Sequence, residues 1–394
     1  MKKIILLAQE LGEVKKDENG NAVCIDPENP SQKGRDSTAK IAKEIKEQNP
    51  DCEVVQFKIL NCEIKNGILF YNNEEVDIDA FDAVISRSWD GGANFQKRVK
   101  IQEFVEDRGL FADTPSQNIL PLLSKQSMIE RYKEIDDLKS IELPKQFYGK
   151  DLVDENDIDR MLLGLVEKAV ESEGKPLWVL KPIKGTSGKG IEFYGEENKG
   201  DLKQKLLANI KKTEGEKENF VIQQYIEPEL FVASQEKKIS AHYRVIISRD
   251  KEGEYNFIGG LKLQKDGSFI SNTHSQDGRL LETPYLEQHD LSNELLEDLY
   301  KIVSHFGVNQ AGFDLIKGKN RGWYFLELNE SMGITGPKLE SQGALKSYVT
   351  SFLERRELFL QNKIQKDAES ALPGSSPQPS DNKLERKKTE QRGA

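Results

Sequence analysis

The residues best suited to chemistry are a small set of oxygen donors toward the C-terminal end of the chain. Residues 311–316 read AGFDLI and residues 323–333 read WYFLELNESMG, two strand-like runs joined by the turn KGKNRG. Residues two apart on a strand share a face, so Glu327 and Asn329 point one way while Leu326 and Leu328 point the other. Asp314 lies between Phe313 and Leu315, so its carboxylate also opposes an apolar face. Placed on adjacent strands, these are two carboxylates and one amide oxygen together. Hard oxygen donors of this kind suit Mg²⁺, or Mn²⁺ in its place, with phosphate and water completing the shell. The alternative is an ordinary exposed hairpin face. Against it, that face carries hardly any Lys or Arg in a lysine-rich chain.

A second stretch, VLKPIKGTSGKGI over residues 179–191, gathers Gly185, Gly188 and Gly190 around Thr186 and Ser187. Glycines at this density let backbone N–H groups approach phosphate oxygens, and Lys181, Lys184 and Lys189 add positive charge. The spacing is wrong for a P-loop, because Gly185 and Gly188 are too close and Gly190 follows Lys189. A dinucleotide fingerprint would open a helix, whereas this loop joins a strand to the further strand IEFYG. GTSG also fails the GxSxG nucleophile pattern. What remains is a hairpin flap, which by itself is also compatible with a plain structural turn.

The elements that must position these groups can be read from periodicity. Ile4–Ala8, Cys52–Phe57, Ile68–Tyr71 and the run FDAVIS read as strands, with helices after Asp36 or Ser37 and over Phe95–Val105. That alternation predicts a small α/β domain with a largely parallel sheet over residues 1–115. Within it, Gly12 to Arg35 is a long polar stretch, mobile or functional. A unit over 116–223 follows, with a helix around Leu120–Tyr132, the extended ELPKQFYG, a helix near Ile158–Glu171, and strands at Leu177–Lys181, Ile191–Tyr194 and Phe220–Gln224. A third unit over 224–362 holds several β segments, a helix at Leu291–Phe306, the carboxylate strands and a closing helix. Residues 363–394 lack apolar periodicity and read as a disordered tail.

Composition narrows the function. At 394 residues, 36% hydrophobic and with a formal charge of −10, the chain can bury more than one core and is poorly suited to coating nucleic acid or an anionic membrane. The basic run Arg386, Lys387 and Lys388 is short and flanked by acids. Cys24, Cys52 and Cys62 show no zinc spacing and suit a reducing cytoplasm. The N-terminal apolar run stops at Gln9, too short for a signal segment. No stretch is long enough to span a membrane, so a cytoplasmic location is expected.

Taken in order, these motifs resemble the ATP-grasp superfamily, most closely the branch of glutamate ligases acting on a ribosomal protein, with glutathione synthetase as a relative. The resemblance runs from Asn118 to Arg355. It implies an ATP-grasp fold, α/β in the N-terminal domain, with two α+β subdomains clasping ATP. SKQSMIERY before ELPKQF matches the family's lysine helix, implying that Lys125 lies near the nucleotide phosphates. Lys181 in VLKP matches the lysine on the α- and β-phosphates, and GTSGKG matches the flap, giving Gly185, Thr186, Ser187 and Gly188 as nucleotide contacts. FVIQQYIEP resembles the hinge, with Gln224, Tyr225 and Ile226 at the adenine edge and Glu227 or Glu229 at the ribose. HYRVIIS aligns Arg244 with the arginine that stabilises the phosphate and the acyl intermediate, and FISN retains Asn272. Asp314, Glu327 and Asn329 match the metal ligands. Three positions depart from the pattern: Gln224 and His242 stand where the family has acids, and Ile270 where it has arginine.

The resemblance implies an ATP-dependent carboxylate–amine ligase. It would take ATP, Mg²⁺, a carboxylate and an amine acceptor that is an amino acid or peptide, with a homo-oligomer left open. Lys181, Arg244 and Asn272 would assist the chemistry. A second reading, an ATP-binding regulator that has lost turnover, is motivated by His242 and Ile270 and opposed by the intact Asp314, Glu327 and Asn329 set. Arg87, at a strand end where α/β ligands bind, could pair with a substrate carboxylate or be structural.

Overall fold

The run Ile4–Leu7 has no polar interruption, which is the signature of a strand covered on both faces, and its residues are at most 1% exposed. In the computed structural model it forms the Lys2–Ala8 strand at the centre of a parallel sheet, between Cys52–Lys58 and Ala83–Arg87, with Phe111–Ala112 at the edge. The structure describes residues 2–16, 22–29, 31, 36–87, 93–166, 177–183, 190–212, 220–232, 238–266, 279–280, 286–319, 322–330, 339 and 341–370. Among these, no helix is long and apolar enough to cross a membrane.

Ile68–Tyr71, expected in the parallel sheet, instead belongs to a separate three-stranded antiparallel sheet with Cys62–Lys65 and Glu74–Glu75. The short turns between those runs permit only antiparallel neighbours. The polar stretch from Gly12 also carries structure, since Glu13–Lys16 pairs with Ala22–Ile25 as a hairpin. The Gln56 side chain holds its start, donating to the Gly12 carbonyl at 2.9 Å and accepting the Gly12 amide at 3.1 Å.

Two further sheets build the remainder. One is four-stranded and antiparallel, in the order Gln146–Tyr148, Phe220–Gln224, Trp178–Pro182, Glu192–Tyr194. Helices Glu155–Val166 and Lys199–Ile210 cover it through Ile158, Leu162, Leu202 and Leu206. The other is seven-stranded, with Trp323–Asn329, Gln310–Lys317, Lys238–Arg249 and Tyr255–Asp266 as consecutive members. Helix Asn293–Phe306 covers one of its faces through Leu295, Leu299, Ile302 and Phe306. Ser292 caps this helix at Leu295 N, 3.2 Å away, and Gly307 ends it at φ 67°. That left-handed conformation favours glycine.

Packing divides the chain differently from the boundary expected at residue 224. Met128, Ile129, Tyr132 and Ile141 join the core of the seven-stranded sheet, and Ile141–Glu142 pairs with Trp323–Asn329. The helix Lys125–Tyr132 therefore belongs with the carboxylate strands. Its start is set by Ser124, whose side chain accepts from Ser127 N, with the 3₁₀ turn Leu120–Leu123 before it. The closing helix runs from Ala344 to Ser370, past the boundary expected at 363. Lys363 donating to the Gly109 carbonyl, and Gln365 to Glu369, support its last turns without apolar periodicity. Residues 371–394 lie outside the described residues.

The segment leading from Tyr132 into Ile141 is tied down by Asp298. Its Oδ2 accepts from Lys139 N at 2.9 Å, Ser140 N at 2.6 Å and Ser140 Oγ at 2.8 Å, at a side chain 1% exposed. Asp298→Ala strands three donors and is expected to lower the unfolding free energy by roughly 2–4 kcal/mol in urea titration. A change under about 0.5 kcal/mol would show that water replaces the carboxylate at no cost.

Candidate functional site

Three antiparallel strands bring the acidic residues and an arginine to one place. Asp314 pairs directly with Arg244 on one side and Glu327 on the other, and Gly312 pairs with Asn329. The expected simple alternation in the last strand fails at one point. Asp314 opposes Glu327 but Leu315 opposes Phe325, leaving Leu326 as the extra residue of a β-bulge. Leu328 does reach the core at 3% exposure, whereas Leu326 is only partly covered. Bulges re-aim side chains beside functional sites, and this one keeps Glu327 and Asn329 on the face of Asp314 while Phe325 turns into the core.

Arg244 grips Asp314 with both arms, Nε to Oδ1 at 2.7 Å and Nη2 to Oδ2 at 2.8 Å. Asn329 Nδ2 lies 3.4 Å from Asp314 Oδ2. The Asp314 charge, aided by Glu327, holds the guanidinium above its ordinary range against its burial. Lys125 Nζ approaches Glu327 Oε2 at 3.9 Å. From the four-stranded sheet, Lys181 reaches across to the same region and donates to Gln223 Oε1. The two units also meet through the backbone, where Lys125 N donates to the Ile183 carbonyl at 3.5 Å.

Burial and the neighbouring Lys125 push the Lys181 ammonium down to about 8, partly countered by Glu327. His242, two residues before Arg244, is pushed down to about 4, by burial first and then by Lys181 and Arg244 against the pull of Asp314. Near neutral pH its imidazole is therefore uncharged. The site presents three cations, two carboxylates and one neutral ring on a surface assembled from two sheets.

The hinge residues follow directly. Gln224 N donates to the Lys145 carbonyl at 2.8 Å and Tyr225 N to the Leu177 carbonyl at 2.9 Å, while the Tyr225 ring meets Phe193 edge-on at 6.1 Å. Ile226 is buried at 9% exposure. Glu229 pairs with Lys317 at 3.1 Å and Glu227 with Lys319 at 3.6 Å, so both acids already have cationic partners. These pairs fasten the hinge to the turn between the carboxylate strands. Gly185, Thr186, Ser187 and Gly188 of the flap, and Asn272 and Ile270, lie outside the described residues.

A divalent ion fits the donor chemistry here. Among the described residues no three of His, Cys, Asp and Glu cluster as a metal site. An ion would therefore take Asp314, Glu327 and the Asn329 amide, which must turn its oxygen inward, and rely on phosphate and water for the remainder.

Arg87 is buried beneath the start of the Gln310–Lys317 strand. It is 4% exposed, with Nη1 3.5 Å from Gln310 Oε1 and the guanidinium 5.8 Å from the Tyr348 ring centroid. Two charged residues near the site were not singled out from the sequence, Arg98 and Glu330. Both are buried, and Arg98 Nη1 and Nη2 lie 2.6 and 3.0 Å from the two Glu330 carboxylate oxygens. The legible signal was a charge inside an apolar helical stripe, since Phe95, Arg98, Val99, Gln102 and Val105 are all buried on one face.

Residues 165–346 match the RimK-like ATP-grasp domain family. No curated protein sequence matches the chain. Several solved structures share its fold. An ATP-grasp ligase from Chryseobacterium gregarium, associated with ribosomally made peptides and solved with ADP and a leader and core peptide, is 13% identical at a TM-score of 0.53, covering 88% of this chain and 96% of that one. D-alanyl-alanine synthetase A from Vibrio cholerae is 13% identical at 0.53, over 88% and 98%. The macrocyclase MdnC from Microcystis aeruginosa, bound to its precursor peptide, is 13% identical at 0.51, over 88% and 100%. Trp178–Pro182, residues 224–226, Gln310–Lys317 and Trp323–Asn329 thus lie within the stretch that matches the RimK-like ATP-grasp domain, and the chain shares the ATP-grasp fold of these structures.

Proposed function

We propose that this protein is an ATP-dependent ligase that joins a carboxylate to an amine through an acyl phosphate. The observation that carries the reading is the convergence of Lys125, Lys181 and Arg244 with Asp314, Glu327 and Asn329 across two sheets. Gln224 and Tyr225 have their amides engaged by the Lys145 and Leu177 carbonyls, so the Gln224 carbonyl and Ile226 amide are the groups we assign to the adenine edge. With Glu227 and Glu229 paired to lysines, a ribose contact at Glu229 would share its carboxylate with Lys317.

In the proposed reaction a carboxylate oxygen attacks the γ-phosphorus of ATP. The bond from that phosphorus to the β,γ-bridging oxygen breaks, and ADP leaves. The amine nitrogen then attacks the acyl carbon, phosphate departs, and the amine gives up a proton to form the amide. Both partners of the first step are anions, so their repulsion is the barrier the protein must lower. In this reading Lys181 and Lys125 bind phosphate oxygens, and Arg244 holds the transferring group and the incoming carboxylate in line. Bound Mg²⁺ would supply further neutralisation of phosphate charge and a fixed orientation. The uncharged His242 adds no repulsion toward a polyanion.

The acceptor class we favour is an amino acid or peptide amine. Phosphate release from Mg-ATP, screened over pools of amino acids, small peptides and carboxylic acids, is the direct test. We expect release that depends on one pool and is accompanied by a new amide mass. Tight nucleotide binding with no release from any pool is what a regulator would give.

A further inference from the structure

We infer that the buried Arg98–Glu330 pair is a positioning device that fixes the end of the Trp323–Asn329 strand, and with it Glu327 and Asn329, against the N-terminal domain for binding of the metal–nucleotide complex. This rests on the nucleotide and metal reading given above.

Glu330 directly follows Asn329 in the chain and is 6% exposed, and Arg98 is 1% exposed. The guanidinium meets the carboxylate in a two-armed contact, Nη1 to Oε1 at 2.6 Å and Nη2 to Oε2 at 3.0 Å. Its other edge meets the C-terminal end of the parallel strand Ala83–Arg87. There Nε donates to Ser86 Oγ at 2.6 Å and Nη2 to the Ser86 carbonyl at 2.8 Å. One planar group therefore joins the N-terminal sheet to the residue beside the proposed ligands. The Phe95 ring lies 5.5 Å from the same guanidinium.

Cohesion alone is a weak reason for this pair. The cost of taking two charges out of water can exceed their attraction, so a buried ion pair is weak evidence for added stability. The N-terminal domain is also fastened elsewhere by ion pairs, Arg356 with Asp82 at 2.6 Å and Arg355 with Asp113 at 2.6 Å. Those two hold the closing helix. Of the three, only Arg98–Glu330 ends next to Asn329. A two-armed contact restricts rotation as well as distance, which is what an amide ligand at a strand end requires. Groups that orient metal ligands from behind typically change metal affinity by about 10–100-fold when altered.

The test uses the full chain and two variants. Arg98→Lys keeps the charge but loses the planar fork, and Glu330→Gln keeps the shape but loses the charge. Mn²⁺ affinity is measured by electron paramagnetic resonance in the presence of saturating non-hydrolysable ATP analogue, and analogue affinity is measured separately in chelator. Thermal melting is recorded alongside, and Glu330→Gln carries the test if Arg98→Lys does not fold. The expected result is Mn²⁺ affinity about tenfold weaker in each folded variant, with metal-free analogue affinity within about twofold of wild type. Unchanged Mn²⁺ affinity, or equal loss of both affinities in step with melting temperature, would overturn the positioning role while leaving the nucleotide reading intact. Failure of the unaltered protein to bind Mn²⁺ with the analogue would overturn that reading, and the positioning role with it.

Discussion

Asp314→Asn is expected to lower ATP turnover by roughly 10³-fold while the chain remains folded. The carboxylate stands at the centre of the site, between Arg244 on one strand and Glu327 on the next. Both of its oxygens are engaged by Arg244 at 2.7 and 2.8 Å. Each oxygen keeps a second lone pair, so Asp314 can face a cation while it holds Arg244. The amide of an asparagine keeps the shape and one acceptor but removes the charge that both functions use. Loss of the ion pair leaves Arg244 partly buried without a full counter-charge, at about 2 kcal/mol, which melting should register as a fall of several degrees. Coupled measurement of ADP release at saturating nucleotide and metal checks the catalytic part. Turnover within about threefold of wild type would remove Asp314 from the proposed machinery.

The second large effect concerns Lys181 and pH. Burial and Lys125 hold its ammonium down to about 8, against an ordinary value of 10.5. Between those two values the unfolded chain holds a proton at this site that the folded chain has released. This group's contribution therefore makes stability rise with pH over that interval, and its penalty is fully present below about 8. A polyphosphate beside Lys181 favours the charged form and would raise that value again. Nucleotide binding at pH 8–9 should then take up a proton, and affinity should fall by up to about tenfold per pH unit above the free value. Calorimetry in buffers of different ionisation enthalpy reads the proton uptake directly. Lys181→Met should weaken binding and remove the uptake. A wild-type protein that binds the analogue with no proton exchange across this range would place Lys181 away from the phosphates.

Much of the site was legible because it depends on local pattern. Asp314, Glu327 and Asn329 alternate with large apolar residues, and a strand with one buried face must put them on the other. Lys181 is readable for the same reason, beside the buried Leu180. What escaped was set by contacts distant in sequence. The bulge at Leu326 exists only relative to its neighbouring strand. The Lys125 helix shows its apolar stripe, but nothing local says that Met128 and Ile129 pack on the sheet around Phe325. Ile68–Tyr71 was readable as a strand, but its partners Cys62–Lys65 and Glu74–Glu75 and the hairpin strand Glu13–Lys16 were obscured because short strands with polar residues carry weak periodicity. Arg98 and Glu330 lie 232 residues apart and find each other only in the folded chain.

The most direct measurement is a crystal structure of the protein grown with Mn²⁺ and a non-hydrolysable ATP analogue, with anomalous scattering used to locate the ion. The expected result is a Mn²⁺ peak bounded by Asp314, Glu327 and Asn329, the triphosphate between that peak and Lys125 and Lys181, and the adenine against Gln224 to Ile226. Anomalous density elsewhere, or an analogue bound away from the facing strands, would contradict the assignment of this surface as the ATP site.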